Sequence, residues 1–189
     1  MDQTGLSSSF LIAMPQLQDP NFCRTVLLMV HHDETSSFAL VLNRSTDLAI
    51  SSLFESLEFE WRGDDDDPVS WGGPVELNSG WMLFGEIDRL ALVEDEEDIT
   101  PVVRGLNFAG SMDVFRHVAA DPPSQLRFFL GYAGWGPGQL EFEIAQGAWL
   151  SAEASAETVF RVPAEAMWDH VVRGLGVDPS TLVSTSGVH

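Results

Sequence analysis

The stretch with the most chemical promise is Gly131-Tyr132-Ala133-Gly134-Trp135-Gly136-Pro137-Gly138-Gln139-Leu140-Glu141. Glycines between a strand and a helix are how dinucleotide sites present backbone N–H groups to phosphate. Gly134 and Gly136 supply the G-x-G, but Gln139 stands where the third glycine belongs. Glu141 and Glu143 then place negative charge in the first turns of the following helix, where it satisfies the helix dipole and repels an anion. The segment therefore reads as a sharp strand-to-helix turn. Gly134, Gly136 and Gly138 admit positive φ there, and Trp135 packs as the anchor of the bend.

Other residue groups invite chemistry less well. His31-His32-Asp33-Glu34 has the composition of a metal site, but neighbours on a strand point to opposite faces and do not readily share an ion. One histidine could ligate together with Glu34 or with a distant histidine such as His117, His170 or His189. No G-x-S-x-G elbow occurs, and Ser7 to Ser9 lie near the chain start. Carboxylate pairs drawn from 29 acids carry no specificity. Trp61, Trp71, Trp81, Trp135, Trp149 and Trp168 could stack on a ligand, but packing in a core of this size is the simpler reading. Asn43-Arg44 ends a strand; asparagine tolerates left-handed backbone there, and arginine can fork onto a carboxylate or grip a ligand. No catalytic residue, metal or cofactor is assigned.

Composition narrows the classes further. The 189 residues carry 44% hydrophobic and 20% charged side chains, as in a soluble globular chain of one domain, 1–189, with residues 1–5 frayed. All nine basic residues are arginine, so Schiff-base lysines and the P-loop lysine are excluded. The single cysteine, Cys23, rules out intrachain disulfides and multi-thiolate zinc sites and points to the reducing cytoplasm. Net charge is −20, and without the runs Asp64–Asp67 and Glu94–Asp98 the rest stays near −11. Such a body repels a phosphate backbone, so nucleic acid is a disfavoured partner. No apolar run approaches the ~20 residues of a spanning helix, and Asp2 with no arginine before Phe10 does not read as a signal peptide.

These features need elements to hold them. Phe10–Ala13 is extended before Met14-Pro15, and Asp19-Pro20-Asn21 is a turn. Thr25–Val30 reads as a strand buried on both faces, paired through the polar loop His32–Ser37 with Phe38–Leu42. Ser45-Thr46-Asp47 offers caps for a helix whose Ile50, Leu53, Phe54 and Leu57 share a face. Val69–Val75, Gly80–Gly85, Leu126–Ala133, Trp149–Ala152 and Thr158–Val162 read as strands. Ser111 caps a helix through Ala119, a second runs over about Gln139–Gln146, and a third starts at Pro163 and ends before Gly176. Strands and helices mix without βα alternation, which is α+β with a mixed or antiparallel sheet.

Several segments together resemble the YqgE/AlgH family of bacterial proteins. They are Gly5-Leu6 with Phe10–Pro15, Asp19–Val26, Leu40-Val41-Leu42-Asn43-Arg44, Gly72-Gly73-Pro74-Val75, the Gly131–Glu141 stretch, Gly147–Leu150, and Trp168 with Leu175–Asp178, Leu182 and Gly187. The resemblance implies a single cytosolic α+β domain whose bifurcated sheet curls into a pseudo-barrel with helices packed outside. It brings a transcriptional-regulator label but no defined biochemical activity. The chain departs from the family pattern at His31, Ser37, Ala39, Ser45 and Phe84.

The expected function is a noncatalytic binding or regulatory module acting through protein contacts, its partner unidentified. Its candidate residues are Asn43, Arg44, Gly73, Pro74, Gly134, Trp135, Gly136, Gly138 and Gln139, drawn onto one surface. The alternatives are direct DNA regulation and a small-molecule hydrolase with His32 as base. Both acid runs are expected on exposed loops, since neither has the alternating ligands or turn glycine of a calcium loop. Stability should therefore rise with moderate sodium chloride and gain little from calcium at matched ionic strength. A micromolar calcium isotherm by calorimetry would contradict this.

Overall fold

The computed structural model describes residues 6–87 and 98–183. Ten strands and six helices follow one another along these residues. They are β1 (Ser9–Ala13), β2 (Val26–His32), β3 (Ser37–Val41), β4 (Ser45–Ala49), α1 (Ile50–Ser56), β5 (Pro68–Trp71), β6 (Val75–Phe84), β7 (Ile99–Val103) and β8 (Leu106–Ala109). Then come α2 (Met112–Ala120), β9 (Leu126–Trp135), α3 (Gln139–Ala145), β10 (Trp149–Glu153), α4 (Ala156–Arg161), α5 (Ala164–Gly174) and α6 (Pro179–Val183). The strands order as β10-β1-β2-β3-β9-β6-β8-β7, with β4–β5 as a branch that joins at β9. All pairs are antiparallel except β5–β9. The result is an α+β fold with a bifurcated sheet curled into a half-barrel.

Apolar runs of β1, β2 and β3 are uninterrupted because the sheet is covered on both faces. Phe10, Ile12, Val26, Leu28, Leu40 and Leu42 pack with Met167, Trp168, Val171 and Val172 of α5. The alternate residues Leu11, Ala13, Leu27, Met29, Ala39 and Val41 pack on the other face with Leu140, Trp135 and Trp149. A further cluster seats Ile50 and Phe54 of α1 and Val114, Phe115 and Val118 of α2 against Met82, Phe84 and Phe128. In β9, Phe128 and Phe129 join different clusters, as the period of two requires.

The long strand β9 is where the sheet divides. Phe129 and Leu130 pair with β5 along one edge and with Trp81 and Gly80 of β6 along the other. Farther along, Ala133 to Trp135 pair with β3, while Tyr132 pairs with Val75 at the start of β6. The chain must therefore step from one edge of β9 to the other between Trp71 and Val75. It does so across Gly131. A Cβ on Gly72 would strike the Gly131 carbonyl, one on Gly73 the Tyr132 backbone, and one on Gly131 the Gly73 carbonyl. Gly131 also holds φ 73°, a left-handed value. Gly72 fixes the step by accepting from Val41 N–H (2.8 Å) and donating to Leu130 O (2.8 Å).

Three element assignments change. Val69–Val75 is split: β5 ends at Trp71, and Val75 opens β6, which continues through Gly80 to Phe84 as one strand. Ser45–Ala49 does not cap α1 but forms β4, with Thr46 Oγ1 donating to Val69 O at 2.8 Å; the helix N-cap is Ala49, without a side-chain bond. Pairing with β5 satisfies more backbone than a cap would, so tertiary context overrides the local signal. Thr158–Val162 is not a strand: α4 covers Ala156–Arg161, because Ser155 caps it by accepting from Thr158 N–H. Ser111 caps α2 as expected, accepting from Asp113 N–H. Asp64–Asp67 are exposed in a loop; Asp98 is exposed too, and Glu94–Glu97 lie outside the described residues. Desolvation, then Asp64 and Asp66, raise the Asp67 carboxyl above its usual range. None of the described helices is long and apolar enough to cross a membrane.

Gly131→Ala should cost roughly 1–2 kcal/mol for left-handed backbone and about 1–3 kcal/mol more for the collision at the crossing. Urea unfolding monitored by tryptophan fluorescence measures it; a loss under about 1 kcal/mol contradicts the crossing constraint.

Candidate functional site

The turn after β9 is tied down by one carboxylate. Trp135 is 6% exposed, and its Nε1–H donates to Glu143 Oε2 at 2.9 Å. Trp149 Nε1–H donates to the same oxygen at 2.8 Å, and the two indoles meet edge to face with centroids 5.8 Å apart. Gln139 Nε2–H donates to Glu143 Oε1 at 3.1 Å while its own Oε1 accepts from Gly136 N–H at 3.2 Å. Glu143 thus answers two indole donors that would otherwise be costly to bury. Its role was missed in the sequence, where it stood only as a dipole partner. The one available cue was its i, i+4 spacing from Gln139.

The three turn glycines differ from the expectation of positive φ throughout. Only Gly138, the α3 N-cap at φ 69°, is left-handed. Gly134 lies in regular β9, where a Cβ would press on the Tyr132 ring at 3.2 Å. At Gly136 a Cβ would meet nothing within 4 Å.

Between this turn and the β2–β3 hairpin lies an open groove of about 390 Å³. Phe38, Val75, Tyr132 and Trp135 form its apolar walls, Ser36 and Ser37 its rim, and Gly134 and Gly136 its glycine side. Phe38 stacks on Tyr132 with centroids 4.7 Å apart and meets Trp81 edge to face at 4.9 Å. The hairpin loop is set by Asp33, whose Oδ1 accepts from Thr35 Oγ1–H (2.6 Å), Thr35 N–H (2.7 Å) and Ser36 N–H (3.0 Å). Those bonds, led by the Thr35 hydroxyl, hold its carboxyl far below the usual carboxylate range.

His31 and His32 diverge. His31 is exposed, with Nε2 2.8 Å from Asp33 Oδ2. His32 points inward: Nδ1 lies 2.7 Å from Ser37 Oγ, and Nε2 lies 3.5 Å from Glu141 Oε1. A Ser–His–carboxylate line of this kind activates the nucleophile of hydrolases. Here the His32 side chain is 2% exposed and Ser37, though it borders the groove, is only 5% exposed, which leaves little surface for a substrate carbonyl to reach. The line ties the hairpin to α3. Glu34, His117 and His170 do not join either histidine in a group of three or more metal-ligating side chains among the described residues, and His189 lies outside them.

Asn43 and Arg44 sit elsewhere. Asn43 is buried; its Oδ1 accepts from Val26 N–H and its Nδ2–H donates to Arg24 O, both at 2.9 Å, which steadies Arg24 at φ 53°. Arg44 donates to Cys23 O, a carbonyl, in place of the expected carboxylate fork. The pair pins the β1–β2 connection, beyond the end of β3 at Val41 and away from the groove-lining start of that strand. Gly73 is committed to the crossing and Pro74 is exposed beside it. The structure therefore gathers Gly134, Trp135 and Gly136 at the groove, with Gly138 and Gln139 behind them, and leaves Asn43-Arg44 apart.

The AlgH-like family matches residues 10–180. A UPF0301 protein of Myxococcus xanthus is 40% identical over 186 residues, covering 98% of this chain and 99% of that one. One from Nitrosospira multiformis is 35% identical over 196 residues, covering 99% of each. The solution structure of AlgH from Pseudomonas aeruginosa superposes with TM-score 0.76 at 31% identity, covering 100% of this chain and 98% of that one. A crystal structure of a Corynebacterium diphtheriae protein, 24% identical with TM-score 0.74 and covering 100% and 95%, shares the fold.

Trp135→Ala should cost about 3–5 kcal/mol, and Glu143→Ala about 1–3 kcal/mol through two indole donors left without their acceptor. Glu143→Gln keeps a carbonyl acceptor and should recover part of the loss in urea titrations. Equal stability of all three variants with the parent would refute the clamp.

Proposed function

The chain belongs to the AlgH-like family, and we propose that it is a noncatalytic binding module that acts through protein contacts at the groove between Ser36–Phe38 and Tyr132–Gly136. The observation that carries this reading is Gly136. Neither backbone conformation nor packing within the chain requires glycine there. A missing side chain at the lip of an apolar groove is what close approach by a partner calls for. The walls are rigid, stacked aromatics, which take up a partner's apolar side chain with little ordering cost.

The other two readings meet obstacles. For direct DNA regulation, Arg24, Arg62, Arg116 and Arg173 are engaged with carboxylates, and the chain carries −20 overall. For a hydrolase, the serine that His32 touches is buried.

A photo-crosslinking amino acid at position 136 tests the proposal, because space there is open. In lysate of the source bacterium it should give a discrete protein adduct, while the same group at exposed Glu157 gives none. Gly136→Leu should leave stability within about 0.5 kcal/mol of the parent and abolish capture by unlabelled chain in competition. Equal adducts at both positions, no adduct at 136, or fluorophosphonate labelling of Ser37 would overturn the binding reading.

A further inference from the structure

At the opposite end of β9, about eight residues and ~26 Å from the groove, lies an open cleft of about 500 Å³ lined by Ser124, Gln125, Leu126, Arg127, Phe160 and Arg161. We propose that this cleft binds a small oxyanion, a phosphate or carboxylate group held between the guanidinium groups of Arg127 and Arg161.

Among the described residues no carboxylate pairs with Arg127, which is built into the fold on neutral partners. Its Nη2 donates to Leu42 O and to Ser70 Oγ (2.9 Å), its Nη1 donates to Val159 O (3.2 Å), and the guanidinium lies 4.9 Å from the Phe129 ring centre. All three acceptors are neutral. Three of the five guanidinium N–H donors are committed, which leaves two for a ligand. The surrounding protein strips away enough water to lower its pKa to about 10, so it stays cationic at neutral pH in a place where the charge is costly.

Arg161 at the end of α4 lines the same cleft and is exposed. Among the described residues it forms no ion pair, whereas Arg24, Arg62, Arg116 and Arg173 each hold a carboxylate. Two guanidinium groups on one cleft repel each other, and among the described residues no acid lines it. An entering oxyanion relieves that repulsion and supplies a counter-charge. Arginine forks suit the planar or tetrahedral oxygens of carboxylate and phosphate. Ser124 and Gln125 add polar side chains at the rim, and Leu126 and Phe160 give an apolar bed for the body of a larger ligand. The site is independent of the groove and stands or falls separately from it.

The test uses the full chain with ¹⁵N-labelled arginine, titrated with sodium phosphate, sodium succinate and sodium chloride at matched ionic strength. The Nε–Hε signals of Arg127 and Arg161 should shift saturably with phosphate or succinate and not with chloride. A preference for phosphate assigns phosphorylated ligands, and a preference for succinate assigns carboxylates. Arg161→Ala should weaken binding tenfold or more at an unchanged melting temperature, and Arg161→Lys should fall between, since it keeps the charge without the fork. Shifts that grow linearly and match chloride, or an Arg161→Ala variant that binds like the parent, overturn the proposal. Arg161 is exposed, so its variants fold even if those of Arg127 do not.

Discussion

At Gly131 the chain that links β5 to β6 passes over β9 with the two backbones in contact, and a Cβ on Gly72, Gly73 or Gly131 would push them apart. The topology makes this contact unavoidable. A strand parallel to β9 on one edge must become a strand antiparallel to β9 on the other within four residues. Because the step is short, β9 can serve both halves of the sheet: β3 and β5 share one of its edges, and β6 runs along the other. The groove at its C-terminal end and the arginine cleft at its N-terminal end both follow. One is walled by residues just past the crossing, and the other opens where β9 begins.

A sheet covered on both faces has few places for water, so its polar groups need partners built in. Asn43 answers Val26 N–H and Arg24 O, Trp168 Nε1–H reaches Ala13 O at 2.8 Å, and Glu143 receives two indoles. Arg127 reaches across the branch of the sheet to Leu42 O and Ser70. The Asn43, Trp168 and Arg127 ties join segments far apart in sequence, so they specify the register of the half-barrel as well as satisfying donors, whereas the Glu143 tie fixes the local turn. Arginine suits this work better than lysine, since its planar fork serves several carbonyls at once. That use is in keeping with a chain whose cations are all arginine.

What was legible in the sequence follows from how local the cause is. The β2–β3 hairpin, α2 behind Ser111 and α5 behind Pro163 are each set by a periodic apolar pattern and an adjacent turn or cap. The burial of Trp135 was legible as well, because an indole beside glycines has few other uses. Ser45–Ala49 misled because its capping side chains lost to a pairing with β5, a segment some twenty residues on. Thr158-Val159 misled the other way: β-branched residues lost to a serine cap three positions before Thr158. The crossing at Gly131 was invisible, since it depends on which edge of β9 each neighbour takes. Asn43-Arg44 invited a ligand for the same reason, its partners being the chain's own carbonyls and N–H groups.

Glycine position separates fold from function more sharply here than any charged residue does. Gly72, Gly73 and Gly131 are fixed by steric contact, and Gly138 by a left-handed N-cap. Each would be glycine in this fold whatever the protein bound. Gly136 meets none of these demands, yet it lies in the same short turn, held by Gln139 and Glu143 against drift. A turn rigidified by a shared carboxylate, with an open side chain position facing stacked aromatics, resists collapse into its own groove. The stiffness of the indole clamp and the emptiness at Gly136 are therefore two parts of one arrangement. The clamp keeps the groove open, and the glycine leaves room at its lip. At the far end of β9 the logic is inverted, because Arg127 is held rigid by neutral acceptors and no carboxylate among the described residues answers its charge.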